Sequence, residues 1–336
     1  MWNPDEYLKY LYNSIEPAER FKGDSAEEWT AWRDRYRAQF IQRLGGFPET
    51  APELNPVLLE SVDCGSYTRQ RIQIQTFEQL QMPVYVLIPK QADEGRRAVI
   101  ACHGHGYGSR DIVGLKPDGS PKDGELGYQK NFAVELVERG FVVVAPELFG
   151  FGDRKLTENA KDPHSCNRLS SFLLSIGKTM ASYRVYETMR CVDYLLTRDD
   201  VDGQRIGIMG ISGGGLVSSF TAAVDERIAA AVVSGFGNTF EASILAMHHC
   251  IDNYVPGLSL DVELPDVISL IAPRPLLLEA GKSDRIFPIH GTLEAYEALS
   301  IVYSRLDVSD RLELDLFEGE HEISGRVAYD WFGKML

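Results

Sequence analysis

Five residues carry the strongest chemical signal in the chain: Gly210-Ile211-Ser212-Gly213-Gly214. They follow the apolar run Ile206-Gly207-Ile208-Met209 and lead into a second apolar segment. Strand, sharp turn and helix is the shape this pattern predicts. Such a turn pushes the serine side chain clear of the backbone, where its oxygen can attack a carbonyl carbon. Small residues at 210 and 214 allow the close backbone packing that the turn needs. The free amides of the following helix favour negative charge developing beside them. A Walker-type phosphate loop is excluded, because no Gly-Lys-Ser/Thr follows.

A serine hydroxyl attacks poorly until a base takes its proton. An acid and then a histidine are expected after the serine, each just beyond a strand. Beyond residue 250 the histidines are His290 and His321. His321 follows the strand-like Arg311 to Phe317 and is the predicted base; His290 precedes a predicted helix. Asp284, in Gly281-Lys282-Ser283-Asp284, lies directly beyond the strand-like Leu276 to Ala280. It is the predicted partner that orients the imidazole. Glu279 and Glu241 compete for that role, and Glu320 and Glu322 flank the histidine.

An oxyanion needs two amide donors. The amide of Gly213 is one, and the loop His103-Gly104-His105-Gly106 after the strand Ala98 to Cys102 supplies the other, assigned to His105. A metal site at His103 and His105 is not expected, since no clear third ligand set is visible. His103, Glu147, His249 and Tyr254 are candidates for the substrate pocket. For His103 and Glu147 a structural role is the stronger reading. Cys250 lacks the context of Ser212 and is not expected to be a nucleophile.

The elements that position these residues follow from periodicity. Asp5 to Ile15 and Ser25 to Leu44 read as helices, the second with a capping box at Ser25 and Glu28 and a stop at Gly45-Gly46. Residues 67–76 and 84–88 alternate and predict antiparallel strands. Strands and helices then alternate, with helices at Gln129–Arg139, Met180–Thr197, Leu216–Val224 and Gly291–Ala298. That order predicts an α/β fold with a mainly parallel sheet and helices on both faces. Residues 1–50 are expected to form a helical extension, and 51–336 one catalytic domain. Long connections at 106–128, 150–177 and 235–273 are expected to form lids over the strand ends.

The chain of 336 residues has 34 basic and 49 acidic side chains, a formal charge of −15. That balance argues against a nucleic-acid partner. No apolar run reaches a membrane span, so no membrane partner is expected. Taking Met1 as the natural start, no secretory signal is visible and the cytoplasm is the expected compartment. Five cysteines without a CxxC pair fit reduced thiols. The helices at 1–44 offer a face to a neighbour, so a homo-oligomer is an open expectation.

These motifs resemble the α/β-hydrolase superfamily, in its dienelactone-hydrolase-like and acetyl xylan esterase-like branch. His103-Gly104-His105-Gly106, the Ser212 turn, Gly281 to Asp284 with Pro288, and Gly319-Glu320-His321 carry the resemblance. Ile271-Ala272-Pro273-Arg274-Pro275 and Leu44-Gly45-Gly46-Phe47-Pro48 also look typical of the branch. The resemblance implies a serine carboxylesterase acting on a small-molecule ester through an acyl-enzyme, without a cofactor. A sugar ester is among the substrates it implies. The departures are specific. A dienelactone hydrolase would place cysteine at 212, and a multifunctional acetyl esterase would carry Arg-Gly-Gln at the oxyanion loop. A glucuronoyl esterase would place arginine at 213. A serine peptidase or amidase, and a non-catalytic scaffold that binds a ligand, are the competing expectations.

Overall fold

The computed structural model describes residues 2–91 and 95–336; Met1 lies outside them. The chain opens with α1 (Asp5–Asn13) and α2 (Ala26–Leu44), then the meander β1 (Val57–Asp63), β2 (Tyr67–Phe77) and β3 (Leu80–Pro89). Next come β4 (Arg96–Cys102), α3 (Phe132–Glu138), β5 (Val142–Pro146), α4 (Cys166–Ser175) and α5 (Met180–Leu196). The second half holds β6 (Val201–Ile211), α6 (Gly213–Val224), β7 (Ala230–Ser234), α7 (Leu258–Asp261) and α8 (Leu264–Ser269). It ends with β8 (Leu276–Gly281), α9 (Ile289–Arg305), β9 (Leu312–Phe317) and α10 (Ala328–Met335).

The strands make one sheet in the order β1-β2-β3-β5-β4-β6-β7-β8-β9. Pairs from β1 through β3 to β5 are antiparallel, and all pairs from β5 to β9 are parallel. Successive side chains of a strand face opposite sides, and the packing obeys this. Ala98, Ile100 and Cys102 of β4 join Val185, Val217 and Leu299 of α5, α6 and α9 on one face. Val99 and Ala101 join Phe132 of α3 and Phe332 of α10 on the other. The chain leaves β4 for β5 on one side and returns to β6 on the other. The crevice beyond that reversal is where open α/β sheets bind ligands.

The capping box forms as read: Ser25 Oγ accepts from Glu28 N–H, and the Glu28 carboxylate accepts from Ser25 N–H, both at 3.1 Å. Gly45 ends the helix at φ 105°. Yet α2 is not an appendage. Its Trp29, Trp32, Tyr36, Phe40 and Leu44 are buried in the main core, with Phe40 edge-on to Phe220 of α6. By contrast α1 buries no side chain.

The helix expected from Gln129 starts three residues later. Lys130 and Asn131 adopt positive φ, which breaks the helix. The Gln129 side chain is instead bonded to Gly104 N–H and Asp111. The long connections carry helices of their own: α4 in the second, α7 and α8 in the third. No helix among the described residues is long and apolar enough to cross a membrane.

Candidate active site

Ser212 joins β6 directly to α6 at φ 58°, ψ −123°. This is a region that a side-chain-bearing residue rarely adopts, and the cost is borne where the surroundings leave no alternative. The surroundings here are backbone. A Cβ built on Gly210 would sit 2.1 Å from Gly214 O, and one on Gly214 would sit 2.0 Å from Cys102 O. The glycines of the motif therefore let α6 start directly against the ends of β4 and β6. Arg274, from the Ala-Pro-Arg-Pro stretch, fixes the far end of α6. Its guanidinium donates to the carbonyls of Ala222, Asp225 and Ile228.

Asp284 and His321 meet beyond the neighbouring strands. His321 Nδ1 lies 2.7 Å from Asp284 Oδ2. The other carboxylate oxygen accepts the amides of Ile286 and Phe287 at 2.8 and 2.9 Å. Asp284 is held from both sides, which sets Nδ1 as the protonated nitrogen and leaves the Nε2 lone pair free. Nε2 is buried without a hydrogen-bond partner. Tyr128 and Phe287 stack near-parallel to the ring, at 5.7 and 5.6 Å between centroids. The loops bearing acid and histidine are joined by Lys282 N–H to Phe317 O and Ser283 N–H to Gly319 O, each 2.9 Å. Gly281 must be glycine, because a Cβ there would lie 2.0 Å from Glu320 O.

Ser212 sits on the neighbouring strand end, and among the described residues its hydroxyl makes no hydrogen bond to His321 Nε2. Its amide donates to Ser234 O. A Cβ on the next residue, Gly235, would touch His321 Cε1 at 2.9 Å. The edge of the imidazole thus lies over the residue that follows the elbow's own partner.

The loop after β4 closes the other side. The His105 ring packs on Gly213 so tightly that a Cβ there would fall 2.9 Å from Nδ1. Tyr128 Oη donates to His105 O at 2.6 Å, and Gln129 Oε1 accepts Gly104 N–H at 2.7 Å. Among the described residues, neither the His105 nor the Gly213 amide donates to a protein acceptor. Burial alone would lower the His105 pKa, but Asp252 and Cys250 beside the ring raise it to about 9. Asp252 is itself buried against Arg184, at 2.6 Å.

The remaining candidates divide. His103 is fully buried, with Nδ1 donating to Gly104 O and Nε2 accepting Leu148 N–H. Burial lowers its pKa to about 3, so it stays neutral. Glu147 is buried too and accepts the amide and hydroxyl of Ser109. Both side chains are buried and bonded within the protein. Tyr254 donates to Ile244 O within the third loop. His249 is half-buried and contacts Phe287 edge-on at 5.4 Å, on the ring that stacks against His321.

Of the competing acids and bases, His290 and Glu320 are exposed and Glu241 lies on the surface of the third loop. Glu279 stays within β8, fully buried. It accepts Ser234 Oγ and the amides of Ser324 and Gly325. Tyr128, Gln129 and Asp252 escaped the sequence reading. Tyr128 closes the connection 106–128 that reads as a lid, and Gln129 falls in a predicted helix. Asp252 lies between the pocket candidates His249 and Tyr254, where nothing in the sequence distinguishes it.

A family model described as "Abhydrolase family" matches residues 7–301. The chain is 27% identical over 288 residues to "Putative hydrolase YtaP" of Bacillus subtilis (strain 168), covering 83% of this chain and 90% of that one. Its fold is similar to a "putative acetyl xylan esterase" of Bacteroides fragilis NCTC 9343, with TM-score 0.82 and 16% identity, covering 100% and 96% of the two chains. It is also similar to a glucuronoyl esterase from Solibacter usitatus, with TM-score 0.68 and 15% identity, covering 96% and 97%. With the family model spanning most of its length, the chain belongs to the Abhydrolase family.

Proposed function

We propose that the protein is a serine carboxylesterase and that Ser212, His321 and Asp284 carry its chemistry. The observation behind this reading is the His321 imidazole. It is held through Nδ1 by Asp284, stacked against Tyr128 and Phe287, and left with an unpartnered Nε2 beside the strained Ser212 turn. A base so oriented removes the proton from Ser212 Oγ as the oxygen attacks an ester carbonyl. The amides of Gly213 and His105 receive the oxyanion. His321 then protonates the leaving alcohol, and the acyl group stays on Ser212. Water, deprotonated by His321, attacks the acyl carbon and frees the acid and Ser212. These steps use only water and the side chains named.

The similar solved structures include proteins described as acetyl xylan and glucuronoyl esterases, which supports an ester of a sugar or another small alcohol as substrate. Gly213 sets this chain apart from an arginine-bearing site. The His105 ring fills the space that a side chain at 213 would need.

Fluorophosphonate labelling tests the nucleophile. A stoichiometric adduct on Ser212, absent in a folded Ser212→Ala variant, is expected. Absence of the adduct in the folded native protein overturns the reading. Turnover of p-nitrophenyl acetate should exceed that of the matching anilide, and the reverse order would make the protein an amidase.

A further inference from the structure

Four metal-binding side chains meet beside the Ser212 turn, outside the machinery assigned above except for one ring. They are His105, His164, Cys166 and Cys250, and their ligand atoms all lie within 4.8 Å of one another. They come from three separate stretches. His105 belongs to the loop after β4, His164 and Cys166 to the connection 150–177, and Cys250 to the connection 235–273. No short sequence pattern joins them, which is why the histidines after β4 looked like an incomplete set.

Several features of the cluster are those of a metal site. The cluster is sheltered: Cys166 is buried and the other three are half-buried. The His105 and His164 rings meet edge-to-face at 5.5 Å. His105 Nε2 is buried without a hydrogen-bond partner, although Asp252 Oδ2 stands 3.2 Å away out of line. His164 Nδ1 accepts the Cys166 amide, which fixes the ring and leaves its other nitrogen free. Arg184 Nη2 lies 3.2 Å from Cys166 Sγ and 2.6 Å, through Nη1, from Asp252. A cation donating to a thiolate is an outer partner of the kind that orients metal ligands.

We propose that His105, His164, Cys166 and Cys250 bind one Zn2+ in a closed, four-coordinate site that ties the three loops together over the Ser212 turn. Two thiolates with two imidazoles suit zinc, and tetrahedral geometry places ligand atoms about 3.3–3.8 Å apart. The observed cluster needs to contract by roughly 1 Å to reach that spacing. With four protein ligands no position stays open for water, so the ion holds structure and takes no part in ester cleavage. Binding it takes the two sulfurs as thiolates and the two rings as neutral imidazoles, and the protons they carry leave to solvent, that of His105 among them. The site stands independently of the proposed function, since metal content is read without any substrate.

The test uses the full chain, reduced with a non-chelating phosphine and desalted after incubation with Zn2+. Plasma mass spectrometry should find about one zinc per chain. Replacing the ion by Co2+ should give the intense visible bands of a tetrahedral ion and a thiolate-to-cobalt charge-transfer band. A Cys166→Ser, Cys250→Ser pair should lose both signals, and His164→Ala should weaken zinc binding by roughly tenfold or more. Chelation should lower the Tm of the native protein and leave that of the folded serine pair unchanged. Reduced, folded protein that retains no zinc overturns the proposal. So does a Co2+ spectrum without thiolate charge transfer, or a Cys166–Cys250 disulfide that re-forms in the presence of zinc. If the serine pair fails to fold, the native cobalt spectrum decides the matter alone.

Discussion

The Glu279 carboxylate accepts the Gly325 amide at 2.8 Å, tying the end of β8 to the chain that leaves His321. Burial pushes the Glu279 pKa up, against three donors that pull it down, and the result is about 7. Asp315 adds to the rise, and Arg326, which pairs with Asp315, faces the same region. The folded state thus holds this proton to higher pH than the unfolded chain, whose value is 4.5. Below 4.5 the contribution is fully present, and it is lost as pH rises through about 7. Stability should fall across that window by an amount on the order of 3 kcal/mol. Urea titrations at several pH values should show the slope, and Glu279→Gln should flatten it. An unchanged slope in that variant would remove Glu279 as the cause.

Asp284→Asn should keep the fold and lose turnover. The amide can still accept from Ile286 and Phe287, but it cannot stabilise an imidazolium. The expected loss in kcat on p-nitrophenyl acetate is on the order of 10³–10⁴-fold. Circular dichroism checks that the variant is folded. A loss below tenfold would show that another acid orients His321.

Gly213→Ala places a methyl group against the His105 ring. The ring must move, and the loop that carries the His105 amide moves with it. We expect kcat to drop roughly 10²-fold, as when one oxyanion donor is lost. Adding His105→Ala removes the obstacle, so the double variant should exceed the product of the single effects. Strict additivity in the kinetic cycle would contradict the contact.

Arg154 forks onto Glu187 at 2.6 Å through both outer nitrogens, in full burial, and Thr76 Oγ1 donates to the same carboxylate. Arg154→Met leaves that charge without its cation. The cost should be about 3–5 kcal/mol by denaturant unfolding. Arg154→Met combined with Glu187→Leu should recover much of it.

The order of serine, acid and histidine was legible because each sits at the end of a strand, and strands announce themselves by periodicity. The elbow glycines, Gly281 and the capping box at Ser25 were equally readable, since each answers a local backbone demand. What escaped was long-range. The aromatic face of α2 reads as an amphipathic helix, and nothing in its spacing says that Phe40 meets Phe220. Tyr128 lies at the end of the connection 106–128, and nothing in its spacing says that its ring stacks against His321. Leu169 and Leu173 were an unread helical pair, marking α4 inside a segment treated as loop. His164 and Cys166 became interesting only when folding set them against residues far away in the chain.

The contact between Gly214 and Cys102 has a wider meaning. It is backbone against backbone, and the His105 and Gly213 amides hang from its two sides, a few residues away. The gap between those donors is therefore gauged by the spacing of β4 and β6 and by no side-chain rotamer. Core substitutions that merely loosen packing should leave that gauge intact, whereas any change that parts the two strands should open it.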